Sequence, residues 1–498
     1  TFKSLIGLEY ENAVLDQFVP IIYETDRGYA RQQYSYTSSF LNENTLNYSN
    51  TIGNIHQLDI VAGYTYQDHV SRNLDISATG FSNNTTKNYE LSAGETINNP
   101  GSGISRWVLA SWLGRVNYSL LDKYLFTASI RSDGSSRFGA SNKWAVFPSA
   151  AFAWRISDEF FMEGVDFISD MKLRTSYGIT GNTALSPYQS LDRMGAVRVI
   201  YANQEEEVGF SPSGISNSDL KWETTAQVDV GLDIGLLNNR FRITADYYQK
   251  NTRDLLASVP LPPSVGFGSI LQNIGEIENK GIELTIGADI IAINNLSWDV
   301  TASFSANRNK VLEIAGGSDI LSNGQGALWS STNIAREGQP LGSIYGYLED
   351  GLDEDGYIKY VDVDEDGSIN ALDKVIIGNP YPDFFYGFSS NLSFKNFEFN
   401  LFLEGVYGNE IFNATNGTHL NSFQRGNNQF TDIMGNYWTA ENPDPNAKYP
   451  RISSLTGIDI SDRFIEDGSY LRVKSIRLAY NFPLENWGLN VFDYAQIF

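Results

Sequence analysis

Hydrophobic and polar residues alternate from Trp222 to Tyr248, over the length of a whole β-hairpin. Successive side chains of an extended strand point to opposite faces, so this period of two predicts strands with one apolar and one polar face. A tight turn at Asn238 and Asn239 reverses the chain, as an antiparallel partner requires. The predicted apolar face carries Trp222, Thr224, Ala226, Val228, Val230, Leu232, Ile234 and Leu236 and, after the turn, Phe241, Ile243, Ala245 and Tyr247.

The length of this alternation separates two fold classes that share the pattern. A strand of a water-soluble β-sandwich also alternates, but it usually runs for about five or six residues. A tilted strand that crosses a bilayer needs roughly nine to eleven residues, and this pair of strands alternates for longer than that. The hairpin therefore favours a strand pair that separates lipid from water.

Further alternating segments predict more hairpins, joined by two kinds of connection. Some connections are tight turns of a few residues and others are loops of tens of residues, which is the asymmetry between the periplasmic and extracellular ends of outer-membrane barrels. We therefore predict an all-β fold, an antiparallel transmembrane β-barrel over residues 1–498, with residues 309–383 as a long extracellular loop region. The predicted tight turns are Leu120 to Lys123, Leu237 to Asn239, Ala292 to Asn295, and Lys395 with Asn396.

Three more detailed predictions concern individual segments. The stretch from Asn73 to Ser105 is rich in Asn, Thr, Ser and Gly and is predicted to be a loop. The last pair of strands is predicted at Leu471 to Phe482 and Leu489 to Phe498. In the strand before the Ala292 to Asn295 turn, one face is predicted to carry Ile282, Leu284, Ile286, Ala288 and Ile290.

Composition narrows the class of protein further. The chain has no cysteine, which excludes disulfides and thiolate metal sites, and its net charge of −24 argues against a nucleic-acid partner. Aromatic residues make up 13% of the chain, and Tyr and Trp settle at membrane interfaces. No window of about eighteen apolar residues predicts a transmembrane helix. A membrane protein of this sequence would have to be a closed barrel, because a backbone surrounded by lipid must pair every N–H and C=O group within the protein.

The sharpest local motif is an acidic loop from Asp362 to Asp373. Its spacing matches the twelve-residue calcium loop, with Gly367 at the sharp turn, and oxygen ligands suit Ca²⁺ over transition metals. Position 12 holds Asp373 where that loop usually has Glu, and no flanking helices are predicted. The alternative is an acidic turn whose Asp side chains cap their own backbone. The predicted ligands are Asp362, Asp364, Asp366, the carbonyl of Ser368, Asn370 and Asp373.

Catalysis finds little support in the sequence. The three histidines, His56, His69 and His419, have no spacing that suggests a metal site or a general base, and no nucleophile motif is present. Glu398 and Glu404 form a carboxylate pair, but they fall on the polar face of a strand, where polar residues are expected. We therefore predict that the protein is not an enzyme. Loop aromatics such as Trp329, Tyr345, Tyr347, Tyr437 and Trp438 fit sugar stacking or loop packing equally well.

Six stretches of the chain resemble the barrel of SusC/RagA-type TonB-dependent outer-membrane transporters, in that family's order. They are LGRVNYSLLDKYLFTASIRSDGSSRFG (Leu113 to Gly139), KLRTSYGITGN (Lys172 to Asn182), LKWETTAQVDVGLD (Leu220 to Asp233), NIGEIENKGIELTI (Asn273 to Ile286), YVDVDEDGSINALDKVIIGNPYPDFFYGF (Tyr360 to Phe388) and YWTAENPDPNAKYPR (Tyr437 to Arg451).

The resemblance implies active uptake across the outer membrane by a complete barrel of about 22 strands. The implied partners are the TonB complex, a SusD-type surface lipoprotein that lids the barrel, and an oligosaccharide or oligopeptide substrate. TonB acts in this family through an N-terminal plug region that these residues do not contain. We therefore expect residues 1–498 to be a barrel piece incomplete at both ends, surrounded by outer-membrane lipid.

Two other classes share part of the pattern. A passive outer-membrane channel or a surface adhesin barrel would show the same alternation without the family stretches. A secreted β-rich glycan-binding enzyme would require the apolar faces to meet in a water-soluble core.

Overall fold

A computed structural model of the chain describes residues 1–23, 27–200, 206–314, 317–322, 331–421, 428, 430–452, 458–484 and 494–498. No helix in these ranges is long and apolar enough to cross a membrane. The described residues form one α-helix, α1, at Ala414–Asn421, and several short 3₁₀ turns.

Strands make up most of the described chain. They are β1 Phe2–Val19, β2 Tyr29–Ile52, β3 His56–Phe81, β4 Gly94–Ile97, β5 Gly101–Leu120, β6 Tyr124–Ser135, β7 Trp144–Arg155, β8 Ile168–Asn182, β9 Arg193–Ile200, β10 Glu206–Gly214, β11 Glu223–Leu236, β12 Phe241–Arg253, β13 Leu256–Pro260, β14 Ser269–Asn273, β15 Glu276–Ile293, β16 Leu296–Glu313, β17 Ile320–Leu321, β18 Asn333–Ala335, β19 Ser343–Gly346, β20 Glu349–Leu352, β21 Ile358–Tyr360, β22 Val375–Gly378, β23 Phe384–Phe394, β24 Phe397–Tyr407, β25 Glu410–Phe412, β26 Ile465–Asp467, β27 Tyr470–Asn481 and β28 Gln496–Ile497.

The chain divides into two compact units, and the division falls within β7, β8 and β11. Unit 1 contains Thr1–Phe152, Tyr177–Ala226 and Asp254–Asn273. Unit 2 contains Ala153–Ser176, Gln227–Arg253 and Ile274–Phe498. Each unit is built on a meander of strands in which most neighbours along the chain are also neighbours in the sheet.

In unit 1 the sheet runs in the order β1-β2-β3-β5-β6-β7-β8-β11, with β4 paired to β3. Strands β2 and β3 are 24 and 26 residues long and pair antiparallel from Tyr29 opposite Thr79 to Ile52 opposite His56. The predicted loop from Asn73 to Ser105 is therefore wrong at both ends, because β3 continues to Phe81 and β5 starts at Gly101. Backbone pairing on both sides of β3 outweighs the low strand propensity of its polar residues.

The second correction in unit 1 concerns Trp222, which was predicted at the start of the exposed apolar face. Strand β11 begins one residue later, and the indole is only 5% exposed. It lies 5.1 Å from the ring of Phe138 and 5.5 Å from that of Phe147, and its Nε1 donates to the carbonyl oxygen of Lys143 at 3.2 Å. Trp222 thus packs in a small buried core with Phe138 and with Phe147 of β7 instead of facing outwards.

In unit 2 the sheet runs in the order β8-β11-β12-β15-β16-β23-β24-β27-β28. The predicted tight turns join β11 to β12, β15 to β16 and β23 to β24. On β11, Val228 and Val230 are each 43% exposed although they are apolar, and Tyr247 of β12 pairs with Ile282 of β15 on the same kind of face. The apolar face of this sheet is thus open to its surroundings, as a lipid-facing surface is.

Two β-bulges keep the apolar residues on one face. In β15, Ile290 is the extra residue, so Ile291 and not Ile290 pairs with Trp298, which corrects the predicted face. In β27, the register shifts at Lys474. The exposed aliphatic residues are odd-numbered up to Val473 and even-numbered from Ile476 onwards. A bulge opposes two residues of one strand to one of its partner, so it reverses the parity of the side chains that follow.

Ion pairs line the polar face of unit 2. Arg174 of β8 donates to Asp233 of β11 at 2.8 Å and to Asp246 of β12 at 2.9 Å. Arg242 of β12 pairs with Asp289 of β15 at 2.9 Å. Arg174 thus reaches carboxylates on the adjacent strand β11 and on β12, two strands away, so the sheet has opposite chemistry on its two faces.

We expect Val230→Lys to weaken the folded protein in lipid far more than Gln227→Lys. Val230 lies in the middle of β11 on the apolar face, where a lysine at the bilayer midplane costs about 2–4 kcal/mol, whereas Gln227 lies on the polar face beside Asp229. The measurement is the free energy of unfolding from phospholipid vesicles in guanidinium. Equal free energies for the two variants would show that the exposed apolar face does not contact lipid.

Candidate functional site

The predicted calcium loop lies in the long connection between β16 and β23, within unit 2. Strand β16 continues to Glu313, so the first residues of the predicted 309–383 loop belong to the main sheet. The connection then folds into a small sheet of β17, β18, β19 and β22 and a hairpin of β20 and β21. The acidic loop joins β21, which pairs with β20, to β22, which pairs with β19, so a strand held in a sheet lies at each of its ends.

A second long connection, between β24 and β27, supplies the core on which these strands rest. Its buried residues are Ile433, Tyr449, Ile458, Ile460 and Phe464. Ile358 of β21 and Ile377 of β22 pack against that cluster. We call the described residues of these two connections, between β16 and β23 and between β24 and β27, the loop subdomain. It fixes both strands that flank the acidic loop.

Asp373 closes the acidic loop from within. Its side chain is fully buried, one carboxylate oxygen accepts the N–H of Val363 at 2.8 Å, and the other accepts the N–H of Asn370 at 2.7 Å. These backbone hydrogen bonds lower the pKa of the Asp373 carboxyl, and they outweigh the opposing effect of its burial. The residue at position 12 is therefore held as a carboxylate that ties the two ends of the loop together.

The carboxylates at the start of the loop accept hydrogen bonds from the backbone of its tip. Asp362 accepts the N–H of Gly367 at 2.8 Å and that of Asp366 at 3.2 Å. Gly367 has a φ of +84°, the left-handed conformation that a sharp turn needs and that glycine adopts without strain. Asp366 in turn accepts the N–H of Ser368 at 2.8 Å. The sequence-predicted turn is present.

Three of the four predicted carboxylates converge. One oxygen from each of Asp362, Asp364 and Asp373 lies within 4.8 Å of the others, while Asp366 is not part of that group. Lost hydration raises the pKa of the Asp364 carboxyl, and the nearby negative charges raise it further. A hard divalent cation would relieve that repulsion, so an all-oxygen donor set of this kind fits Ca²⁺.

The other two predicted ligands are engaged within the loop. The side-chain amide of Asn370 donates to the carbonyl oxygen of Ser368 at 3.1 Å, and its side-chain oxygen accepts the N–H of Leu372 at 2.9 Å. Binding of a cation by Ser368 or Asn370 would therefore require these local hydrogen bonds to give way or to be shared.

A nearly buried ion pair that the sequence analysis missed holds the loop subdomain together. Arg463 Nη2 lies 2.6 Å from Glu349 Oε2, and the two side chains are 18% and 11% exposed. Ser461 also donates to Glu349 at 2.7 Å. The hydroxyl oxygen of Tyr360 accepts the N–H of Asp459 at 3.1 Å, and burial raises the pKa of that phenol. Both long connections thus meet through specific polar contacts.

The structure also places several other residues that the sequence analysis singled out. Glu404 accepts from Lys474 at 3.0 Å and Glu398 accepts from Asn481 at 2.6 Å, as structural carboxylates of a polar face do. Tyr347 and Trp438 are 8% and 7% exposed and pack within the loop subdomain, which favours the packing interpretation for these two. Trp329 and the side chain of His419 lie outside the described residues.

Comparison with known sequences gives a consistent result. A family model described as TonB dependent receptor-like, beta-barrel matches residues 4–493. The TonB-dependent receptor P3 of Formosa agariphila is 35% identical over an alignment 503 residues long. The alignment covers 97% of this chain and 49% of that protein. The TonB-dependent receptor SusC of Bacteroides thetaiotaomicron is 31% identical over 466 residues, which cover 90% of this chain and 44% of SusC. The chain thus spans about half the length of the curated relatives it matches.

Comparison of folds gives a close match to a solved structure. The structure of the RagAB peptide transporter superposes with a TM-score of 0.85 at 25% sequence identity. The superposition covers 99% of this chain and 55% of the matched chain.

We expect Glu349→Gln to destabilise the loop subdomain by about 1–3 kcal/mol, because Arg463, which is only 18% exposed, would lose the carboxylate that it pairs with. The measurement is backbone hydrogen exchange at residues 458–464, which reports local opening. The matched control is Asp350→Asn, which breaks the exposed Asp350–Lys359 pair, whose side chains are 64% and 49% exposed, and costs about 0–1 kcal/mol. Equal protection in both variants would show that the Glu349–Arg463 pair does not hold the subdomain.

Proposed function

The chain belongs to the family of TonB dependent receptor-like β-barrels, and from that premise we propose that its parent protein imports an oligomeric nutrient across the outer membrane. The family consists of outer-membrane receptors and transporters and not of enzymes. In this proposal the TonB complex supplies the energy by acting on a plug region that lies before the barrel. The single observation that carries the proposal is the match of the family model to residues 4–493.

The proposed substrate is an oligosaccharide or an oligopeptide. The fold shared with the RagAB peptide transporter supports an oligomer rather than a metal chelate. The ion-paired polar face of unit 2 supports passage of a hydrophilic cargo, because Arg174, Arg242 and their carboxylate partners present hydrogen-bonding groups there.

The proposed partner is a SusD-type surface lipoprotein that covers the ends of the long loops. The β9–β10 hairpin in unit 1 supports this assignment. It pairs only with itself among the described strands, and its large apolar side chains are exposed: Met194 by 60%, Val208 by 59% and Phe210 by 73%. Exposed apolar patches of this kind are typical of protein–protein contacts.

We also propose that the acidic loop binds Ca²⁺ with a structural role. Asp362 and Asp364 lie near the end of β21 and Asp373 lies near the start of β22, so a cation shared by the three carboxylates would clamp the two strands. Asp366, the carbonyl of Ser368 and Asn370 complete the set that the spacing predicts. The clamp would stiffen the surface that the loop subdomain offers to a partner.

For the function itself, we expect the protein purified in detergent from its native membrane to carry a lipoprotein and a bound oligomer, which mass spectrometry would identify. Cells that lack TonB should lose uptake of that oligomer. Uptake that persists without TonB would identify a passive channel.

In the protein purified from its native membrane, Phe210→Ser should reduce the amount of bound lipoprotein. The control Leu121→Ser, which changes an exposed residue of the β5–β6 turn, should not.

For calcium, we expect about 1 mM Ca²⁺ to slow proteolytic cleavage between residues 360 and 375 relative to EDTA. Asp364→Asn should abolish the difference, because it removes one of the three converging carboxylates. Asp355→Asn, in the neighbouring acidic turn outside the converging group, should retain it. Cleavage of the unsubstituted protein at the same rate in Ca²⁺ and in EDTA would favour the acidic turn that caps its own backbone.

A further inference from the structure

The connection between β7 and β8 is longer than the tight turns at the same end of unit 2. Residues 156–167 join these strands at the end of the sheet where β11 and β12, β15 and β16, and β23 and β24 are joined by tight turns. The segment folds into two 3₁₀ turns, Ile156–Asp158 and Phe160–Met162. It is fastened to the β11–β12 turn, because Leu237 donates its N–H to the carbonyl oxygen of Phe167 at 2.8 Å.

This segment exposes three phenylalanine rings. Phe160 is 80% exposed, Phe161 62% and Phe167 58%. Large apolar side chains that are so exposed within one short segment mark a contact surface for lipid or for another protein. Hydrogen bonds fix the segment at both ends, since Ser157 also donates to Asp170 at 3.3 Å, so the rings are presented by a defined backbone.

The position of Phe161 points to lipid as the occupant. Its ring lies edge-on to Trp154, with 6.4 Å between ring centroids. Trp154 lies on the same face of β7 as Trp144 and Val146, which are 54% and 55% exposed on the apolar face. The aromatic segment therefore continues the lipid-facing row of β7 beyond the end of the strand.

The polar groups of the segment fit the boundary between lipid and water. Trp154 Nε1 donates to Glu159 at 3.0 Å, and Arg155 pairs with Asp158 at 3.3 Å, so the carboxylates of Asp158 and Glu159 both have partners next to the rings. The neighbouring turns at this end also expose apolar residues, with Leu237 51% and Ile293 66% exposed. A water-soluble partner would have to cover each of these separately, whereas one lipid leaflet would cover them all.

We propose that residues 156–167 form an aromatic anchor in which Phe160, Phe161 and Phe167 insert at the boundary between acyl chains and headgroups. The occupant is phospholipid of the leaflet at the tight-turn end, which is the periplasmic leaflet in barrels with short periplasmic turns. The anchor fixes the depth of the barrel in the membrane at the end opposite the long loops. Its existence does not depend on what the protein transports.

The experiment measures the depth of a nitroxide label at residue 160. The 498 residues contain no cysteine, so Phe160→Cys adds a single thiol to them, and any cysteine elsewhere in the full-length protein is replaced by serine. Val228→Cys, in the apolar row of β11, is the reference for lipid. Met434→Cys, 81% exposed in the loop subdomain, is the reference for water. All three sites are exposed, so the label does not have to displace a buried side chain.

The full-length proteins are placed in vesicles of phosphatidylethanolamine and phosphatidylglycerol. Accessibility to oxygen, which partitions into lipid, is compared with accessibility to a water-soluble nickel chelate. We expect the oxygen-to-nickel ratio at residue 160 to exceed that at residue 434 several-fold and to fall below that at residue 228. A ratio equal to that at residue 434 would overturn the proposal in favour of a water-exposed segment. Low accessibility to both reagents would overturn it in favour of a protein contact.

Discussion

The structure depends on one constraint, which is that a backbone surrounded by hydrocarbon must satisfy every N–H and C=O within the protein. The long antiparallel strands of both units meet this requirement through their neighbours, and side chains then have only two directions to take. Bulges at Ile290 and Lys474 show how strictly the faces are kept. Each bulge inserts one residue and thereby returns the following apolar side chains to the same face.

The polar face follows from the same geometry but has a different chemistry. Half of the side chains point away from lipid, and in unit 2 they include Arg174 between Asp233 and Asp246. These pairs are partly exposed, so their contribution to stability is modest. Their main consequence is a hydrophilic wall on the face opposite the exposed apolar residues.

The loop subdomain obeys the rules of a soluble domain. It has a buried core around Phe464, and it also has the nearly buried pair of Glu349 and Arg463. Segments far apart in the chain meet there, and the acidic loop is one part of that assembly. Its fully buried residue, Asp373, is bonded to backbone N–H groups, so the loop keeps its closed form through its own hydrogen bonds. In the proposed holo state, a cation would add to an arrangement that is already folded.

The sequence by itself determined the fold class, because alternation over lengths longer than a sandwich strand is a local signal, and family membership confirms the barrel. It also determined the turn at Gly367, since local spacing sets local hydrogen bonds. Tertiary structure alone decided that Trp222 turns inwards onto Phe138 and Phe147, that β3 continues through a polar stretch, and that Ile291 replaces Ile290 on the apolar face. It alone paired Glu349 with Arg463, which are 114 residues apart. The physical reason is that a period of two reports only the two faces of a strand, whereas register, bulges and long-range ion pairs depend on which strand or loop lies alongside.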